Sequence, residues 1–571
     1  MKVLLTCTSV DDSHRTEDAP DSHYPLGLAY LHTYLEKYSD HEVETHFLNN
    51  VNVEICTTKI KKAIEAFQPS VVGISIMTHS RISAFKLIEY IDSNYPHIKI
   101  VLGGIHPTIM WKQMAEKYSN TIVVIGEGEI SFDRLLDRLE QGKPYDDIEG
   151  LAYFDGEKVI KTEERDLIDD LDILPFPKHE IFLFEGKTVA NLLTSRGCPF
   201  KCNFCVLDNV SLRTVRFRSA ENICDEIEHI LDVYPTTKII WLHDDAFMIN
   251  KKRTMALCDE IIRRNIKTTF TCSARFRPIS RELVQRMEQA GFNHVLFGLE
   301  SGADAVMEGM KKGITKDHIR YGTSLFKESN IKMTAFLIVG LPGETEQTLE
   351  ETIDFVQEMQ YNNYLYYDDI GICSIYPGAE VYTLAKDKKF EIPGYGILDD
   401  AYWLTDGDVP FYEIDHTYEQ LSKWKEVIRD SISLAKFTAP AAFLKQKKML
   451  PSIIKYGFKF DVPFVIERVH STLNKNNLYF EILKEYFNDN ISSNLMFKIA
   501  ATLEKDLLQE YVKTISIEDA KNFITCFNQQ SQRDKITVAR WQSQTFQPLT
   551  TIYRQKIRLK KFCRLYNRKY K

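Results

Sequence analysis

Ser195-Arg196-Gly197-Cys198-Pro199-Phe200-Lys201-Cys202-Asn203-Phe204-Cys205 sets three cysteines within eight residues at C-x3-C-x2-C spacing, directly behind the apolar run Val189-Ala190-Asn191-Leu192-Leu193-Thr194. Three soft thiolates on one tight loop can hold three corners of a cubane iron–sulfur cluster, leaving the fourth iron open to a small molecule. A structural zinc site asks for a fourth Cys or His, usually from a second closely spaced pair. The next cysteine downstream, Cys224, stands alone. Three buried or disulfide-forming cysteines are the remaining alternative.

Outward from this loop, β-rich runs alternate with helical stretches. Val189–Thr194, Lys238–His243, Lys267–Ser273, His294–Leu299, Met333–Val339 and Ile370–Ile375 read as strands, with helix-period segments such as Ala220–Tyr234 and Ser280–Gln289 between them. Repeated β-then-α units predict parallel strands with crossover helices. In such a barrel the reactive groups sit on loops past the strands' C-terminal ends. Those loops here carry Arg196-Gly197-Cys198, Asp244-Asp245, Arg275, Glu300-Ser301-Gly302, Gly340-Leu341-Pro342-Gly343-Glu344 and Tyr376-Pro377-Gly378. The expectation is a partial (β/α)6 barrel over 189–390.

Residues 1–145 repeat the alternation. Strands are expected at Val3–Thr6, Val43–Leu48, Val71–Ile76, Lys99–Leu102 and Ile122–Ile125, and helices at Gly27–Lys37, Thr58–Phe67, Ser80–Ser93 and Ile130–Gln141. An α/β, doubly wound, Rossmann-like sheet fits, with its ligand crevice at the strands' C-terminal ends. The loops there are Gly103-Gly104-Ile105-His106-Pro107-Thr108 and Gly126-Glu127-Gly128-Glu129, whose glycines let backbone amides face a large flat or phosphorylated ligand. His106 reads first as a loop histidine capping backbone groups. A linker is placed at 146–188 and a mostly helical domain at 391–571, with Ala379–Asp387 closing the barrel and helices at Gln420–Phe437, Ala441–Lys459, Phe464–Phe487 and Ser493–Thr514.

With 571 residues the chain exceeds what one core serves. An apolar fraction of 44% with 27% charge is that of ordinary globular protein, and a net charge of −8 argues against a general nucleic-acid binder. No apolar run is long enough to span a bilayer, and Met1–Asp12 lacks a signal peptide's apolar stretch. The cysteines outside the triad (Cys7, Cys56, Cys224, Cys258, Cys272, Cys373, Cys526, Cys563) show no paired spacing, which fits reduced thiols in a cytoplasmic setting.

The run Ser195–Cys205 resembles the signature loop of the radical S-adenosylmethionine (SAM) superfamily, and the resemblance extends through further motifs over roughly 185–400. It implies a 4Fe–4S cluster on Cys198, Cys202 and Cys205 whose open iron chelates SAM. An electron from the cluster then cleaves the sulfonium to a 5′-deoxyadenosyl radical. Phe204 matches an aromatic position that borders the adenine, with packing on the barrel as its alternative. Gly298–Gly302 resembles the fourth-strand motif, in which Glu300 accepts from a ribose hydroxyl and Ser301 touches the methionine end. A carboxylate suits a vicinal diol because it accepts two hydrogen bonds. Arg275 stands where the family places a basic residue for the SAM carboxylate, surface pairing being its alternative. Ile338–Thr345, with Gly340, Pro342 and Gly343, matches the fifth-strand motif behind the adenine. His243-Asp244-Asp245-Ala246-Phe247 stands where many members have Gly-Gly-Glu and looks like the cobalamin-dependent branch. One of the two aspartates holds the SAM amino group, and the sequence does not say which.

Tyr24-Pro25-Leu26-Gly27, with Gly103, Gly104, His106, Pro107, Thr108, Glu127 and Gly128, resembles the cobalamin (B12)-binding domain of that branch. The D-x-H-x-x-G signature of a lower axial histidine is absent, so His106 is not assigned to cobalt. A domain that kept its fold and lost cobalamin stays open. The combined resemblance implies radical C-methylation of an unactivated carbon, with cyclisation or rearrangement and a sensor or carrier role as alternatives. It also implies a small-molecule or lipid substrate and an electron donor of flavodoxin or ferredoxin type. The tail Thr551–Lys571 holds nine Lys/Arg and no acid, leaving about −17 on the remainder. With Lys445-Gln446-Lys447-Lys448 beside apolar neighbours, it permits contact with an anionic membrane surface, a solvated terminus being the alternative.

Overall fold

The computed structural model describes residues 1–8, 25–48, 53–183, 188–363 and 365–438. The chain divides into two units, 1–425 and 426–571. The second is described only through the end of the helix Tyr418–Thr438, so the expected helices from Ala441 onward and the basic tail lie outside the described residues.

The first half of unit 1 is a seven-stranded sheet: β1 (Lys2–Cys7), β2 (Glu42–His46), β3 (Val71–Ser75), β4 (Lys99–Gly103), β5 (Thr121–Val124), β6 (Leu151–Phe154) and β7 (Val159–Lys161), in the order β2-β1-β3-β4-β5-β6-β7. The first five strands are parallel and the last two antiparallel. β6 and β7 fall in the segment read as a linker, so the sheet runs on past residue 145. Val3-Leu4-Leu5, Ile100-Val101-Leu102 and Ile122-Val123-Val124 are buried along their whole length, as expected of parallel strands covered by helices on both faces.

Six helices accompany the sheet: α1 (Leu26–Tyr38), α2 (Val53–Phe67), α3 (Arg81–Asn94), α4 (Ile105–Ile109), α5 (Trp111–Lys117) and α6 (Glu129–Glu140). Leu28, Leu35, Phe132, Leu135 and Leu136 from α1 and α6 close one core against Val3, Leu5, Val101 and Val124. Each such side chain contributes roughly 1.5–3 kcal/mol. The strand order reverses between β1 and β3, which opens a crevice at their C-terminal ends. The short α4 and α5 were not expected. Pro107 is the third residue of α4, in a first turn whose N–H groups have no intrahelical partner, so the ring costs nothing there.

The second half carries β8 (Val189–Leu192), β9 (Ser195–Arg196), β10 (Arg216–Phe217), β11 (Ile239–Leu242), β12 (Thr269–Ala274), β13 (Phe292–Glu300), β14 (Lys332–Val339) and β15 (Leu365–Ile372). Six of these form a parallel sheet in the order β15-β14-β13-β12-β11-β8, the expected partial barrel, while β9 and β10 make a small antiparallel hairpin. β15 starts five residues earlier than expected. Asp368-Asp369 interrupt its apolar pattern because they occupy a bulge opposite Ala335–Leu337.

Between the strands run α7 (Leu207–Ser211), α8 (Ala220–Val233), α9 (Lys251–Arg263), α10 (Arg281–Gln289), α11 (Asp304–Gly309), α12 (Lys316–Phe326), α13 (Glu346–Asn363) and α14 (Glu380–Asp387). The starts of four of these helices are fixed by side-chain caps: Ser219 accepts from Asn222 N, Asn250 from Arg253 N, Ser280 from Leu283 N and Thr315 from His318 N, each worth about 1 kcal/mol. After α14 come a two-residue hairpin, a 3-10 turn at Asp400–Leu404, and α15 (Tyr418–Thr438). Among the described residues no helix is long and apolar enough to cross a membrane.

Candidate active site

The cysteine loop is anchored at both ends. At its base, Asp244 just beyond β11 accepts from Thr194 N at 2.7 Å, Thr194 Oγ1 at 2.5 Å, Ser195 N at 3.3 Å and Ser195 Oγ at 2.5 Å. Gly197 follows with φ +95°, and a Cβ there would collide with the Thr214 carbonyl, so only glycine fits. At the far end Asn203 N donates to Met310 O at 3.1 Å, and its Nδ2 donates to Gly309 O at 3.0 Å. The three cysteines are half-buried and unbridged.

Burial raises the Cys198 thiol and pushes Cys205 up to about 11, while the N–H groups of Phe200 and Leu207 point at the two sulfurs. Sulfurs that share N–H donors yet resist ionising by themselves suit a metal that takes the proton's place. Zinc would ask for a fourth ligand; a cubane asks for three and an open side.

Arg275, past β12, stacks its guanidinium on Phe200 at 3.4 Å and aims Nη1 at Cys202 Sγ, 4.0 Å away. Its Nη2 donates to Lys312 O, and its buried Nε has no hydrogen-bond partner among the described residues. Surface pairing is therefore not its role. Glu300 sits at φ +66° after a bulge that leaves Leu299 unmatched against β14. Its Oε1 meets Lys312 Nζ at 2.6 Å, with both side chains under a tenth exposed. Gly298 makes room for that pair, since an added Cβ would strike Lys312 Nζ and Glu300 Oε1. Lys312 was missed in the sequence, where Met310-Lys311-Lys312-Gly313 reads as a solvated loop.

Ser301 is a correction. Its hydroxyl is fully buried, 3.1 Å from Thr352 Oγ1, and accepts from Ala303 N. It braces the turn into α11 and is not available to a ligand. Phe204 is half-buried on the cysteine loop.

Beyond β14, Gly340 and Gly343 both take φ +83° around Pro342. The turn is tied by Glu344, whose Oε2 accepts from Gly340 N at 2.5 Å. Burial pushes Glu344 up to about 7. A carboxyl raised in the fold stabilises at low pH, and that contribution drains away as pH climbs from about 4.5 to about 7. Glu344→Gln is therefore expected to flatten the pH dependence of Tm across that window and to stabilise at pH 8 by up to about 3 kcal/mol. Unchanged Tm differences from wild type at pH 5 and pH 8 would contradict this.

In the first half, Gly103 and Gly104 end β4, and a Cβ on Gly104 would meet the Ile76 backbone. Gly126 N donates to Thr108 Oγ1 at 3.0 Å, tying the two glycine loops together. His106 and Pro107 lie in the first turn of α4, where both are buried and neither lines the cavity described below. His106 is completely buried, its Nδ1 3.3 Å from Thr78 Oγ1, and burial with the nearby Arg81 holds it at about 3. Glu127 lines that cavity and is also held by arginines of the other half. It accepts from Arg196 at 3.1 Å, from Arg216 at 2.8 and 2.9 Å, and from Ile168 N at 3.0 Å. Burial alone would raise it, but the arginines outweigh that and hold it at about 2.

One cavity of about 400 Å³ joins the halves. Gly27, Gly73, Gly103, Gly104, Gly126 and Gly128 form its floor, with Leu5, Leu28, Leu31, Val101 and Phe132 behind them. The opposite wall is Leu193, Ser195, Gly197, His243 and Asp245, at the root of the cysteine loop. Of the aspartate pair, Asp244 is consumed at the loop base and Asp245 faces the cavity. Burial and Asp244 push Asp245 up to about 6, against the Gly197 N–H. Around a Cβ added to Gly27, Gly103 or Gly126 nothing lies within 4 Å. The floor is thus flat, backbone-lined and shaped for a broad ligand.

Residues 192–356 match the Radical SAM superfamily and residues 16–136 the B12 binding domain. The chain thus carries both a radical SAM domain and a B12-binding domain. It is 29% identical over 367 residues to an uncharacterized methyltransferase of Pyrococcus horikoshii, covering 63% of this chain and 78% of that one. It is 30% identical over 351 residues to the anaerobic magnesium-protoporphyrin IX monomethyl ester cyclase of Rubrivivax gelatinosus, covering 58% of this chain and 62% of the cyclase. The fold is shared with the cobalamin-dependent S-adenosylmethionine radical enzyme OxsB in its aqua-cobalamin-bound structure, at TM-score 0.61 and 17% identity over 99% of this chain and 80% of that one. It is shared as well with the radical S-adenosylmethionine methyltransferase TsrM of Kitasatospora setae, at TM-score 0.57 and 18% identity over 68% of this chain and 76% of that one.

Proposed function

We propose that this protein is a cobalamin-dependent radical SAM enzyme that methylates an unactivated carbon of a small molecule. The observation that carries the reading is a cavity running from a glycine floor in the B12-binding half to Asp245 and Gly197 beside the cysteine loop. It would hold both cofactors in one chamber. A bound cluster would supply the electron that cleaves SAM to a carbon radical, and bound cobalamin would supply a transferable methyl group.

The chain's own residues position and shield these groups. Cys198, Cys202 and Cys205 hold the cluster, and Arg275 donates toward Cys202 while offering its unpaired Nε to the SAM carboxylate. Asp245 accepts from the SAM amino group. Glu300, turned by the bulge and steadied by Lys312, accepts from the ribose. Gly340, Pro342 and Gly343 back the adenine and Phe204 borders it. Gly103, Gly104 and Gly128 lie under the corrin, with Thr108 bracing their loops from behind. Enclosure excludes water and keeps a primary radical from attacking the protein. The identity to a cyclase of the same branch supports ring closure as the second reading.

Anaerobic reconstitution followed by product mass separates the two readings. A gain of one methylene supports transfer, and a hydrogen-depleted product supports cyclisation. The cavity itself is tested by Gly103→Leu, whose side chain would enter open space without backbone strain. Overpacking by about 1–3 kcal/mol should weaken cobalamin binding by about ten- to a hundredfold, with iron content and Tm unchanged. Undiminished cobalamin binding by that variant would remove cobalamin from this cavity.

A further inference from the structure

Arg196 lines the cavity, and none of the cofactor roles proposed above uses its donors. It lies two residues ahead of Cys198, separated from it only by Gly197, whose positive φ and the nearby Thr214 carbonyl admit no side chain. Its guanidinium crosses to the other half of the molecule. Nη1 donates to Glu127 Oε1 at 3.1 Å and Nη2 to Glu129 Oε1 at 2.7 Å. Those carboxylates flank Gly128 in the loop between β5 and α6, part of the cavity floor. Directly across the β9–β10 hairpin, Arg216 forks onto the same Glu127. The Tyr30 ring lies 5.0 Å from the Arg196 guanidinium.

We infer that Arg196 is a positioning residue that fixes the distance and tilt of the cysteine loop relative to the B12-binding floor. This rests on the reading of the cavity as a chamber for two cofactors. An apolar contact between the halves would resist separation yet allow sliding. A planar fork on two carboxylates, buttressed by a second arginine, resists both. The chemistry needs that restraint, because a misplacement of about 1 Å between reacting groups costs about a hundredfold in rate. Arg196 is also unsuited to bind a ligand phosphate, since Nη1 and Nη2 are already committed to carboxylates.

The test uses full-length protein reconstituted anaerobically with iron, sulfide and cobalamin, reduced so that cluster and cobalt are both paramagnetic. Pulsed electron resonance then reads the distance between them in wild type, Arg196→Gln, Arg196→Lys and Glu129→Gln. Wild type should give one narrow distance. Arg196→Gln should keep its iron and cobalamin, because every proposed ligand remains, and lose the single distance. Arg196→Lys keeps the charge but engages one carboxylate at a time, so it should not restore the narrow distribution. Should Arg196→Gln fail to fold, Glu129→Gln, which leaves the Glu127 clamp intact, should still broaden the distribution. An unchanged distance in Arg196→Gln or, where that variant does not fold, in Glu129→Gln overturns the inference, as does full rescue by lysine. Wild type that takes up neither cofactor overturns the two-cofactor reading itself.

Discussion

Asp244→Ala is expected to lose the iron–sulfur cluster although it removes none of the cluster's ligands. Asp244 is 2% exposed and takes hydrogen bonds from two backbone amides and two hydroxyls of Thr194 and Ser195. Arg253 Nη1 stands 3.6 Å away. Alanine would strand those donors and leave the largely buried arginine short of its carboxylate, at a cost of about 3–5 kcal/mol. The strand-to-loop corner ahead of Cys198 would then have no fixed geometry. Asp244→Asn should do less harm, about 1–3 kcal/mol, because the hydroxyls can turn to donate or accept but the amide nitrogen cannot accept. Thermal unfolding and iron analysis on the same samples decide this. A Tm within error of wild type for Asp244→Ala would refute the anchoring role.

Alanine at Cys198, Cys202 or Cys205 is expected to have the opposite signature. Each cysteine is half-buried and unbridged, so stability of the apoprotein should move by less than about 1 kcal/mol. Iron–sulfur absorption and reductive release of 5′-deoxyadenosine should fall to background, while cobalamin uptake by the first half persists. Asp244→Ala damages the scaffold and the cysteine variants damage only the chemistry. A variant lacking one of these cysteines that still assembled a full cubane would show that the loop is not the ligand set.

Strand identities were legible where apolar runs are largely buried on both faces, as in Val71–Ser75 and Met333–Val339. They blurred where a bulge places Asp368-Asp369 inside a strand. The choice between Asp244 and Asp245 was legible in principle. In β11 the buried Ile240 and Leu242 share parity with Asp244, whereas His243 shares it with Asp245, and both of the latter line the cavity. Side chains two apart along an extended chain point the same way.

Ser301 and Glu300 defied such counting because the bulge at Leu299 changes the phase. Lys312 was invisible because nothing in its own neighbourhood marks it; its meaning comes from Gly298 and Glu300, brought together only by the fold. Glu127 lines the cavity as an acidic residue between two glycines suggests, but the arginines of the other half that also hold it could not be seen in the sequence.

The pairing of Glu127 and Glu129 with Arg196 and Arg216 bears on how such proteins can be recombined. The two halves do not meet as interchangeable modules joined by a passive seam. A chimera that transplants a foreign B12-binding half onto this barrel would bury two arginines with no counter-charge unless both acidic positions travel with the graft.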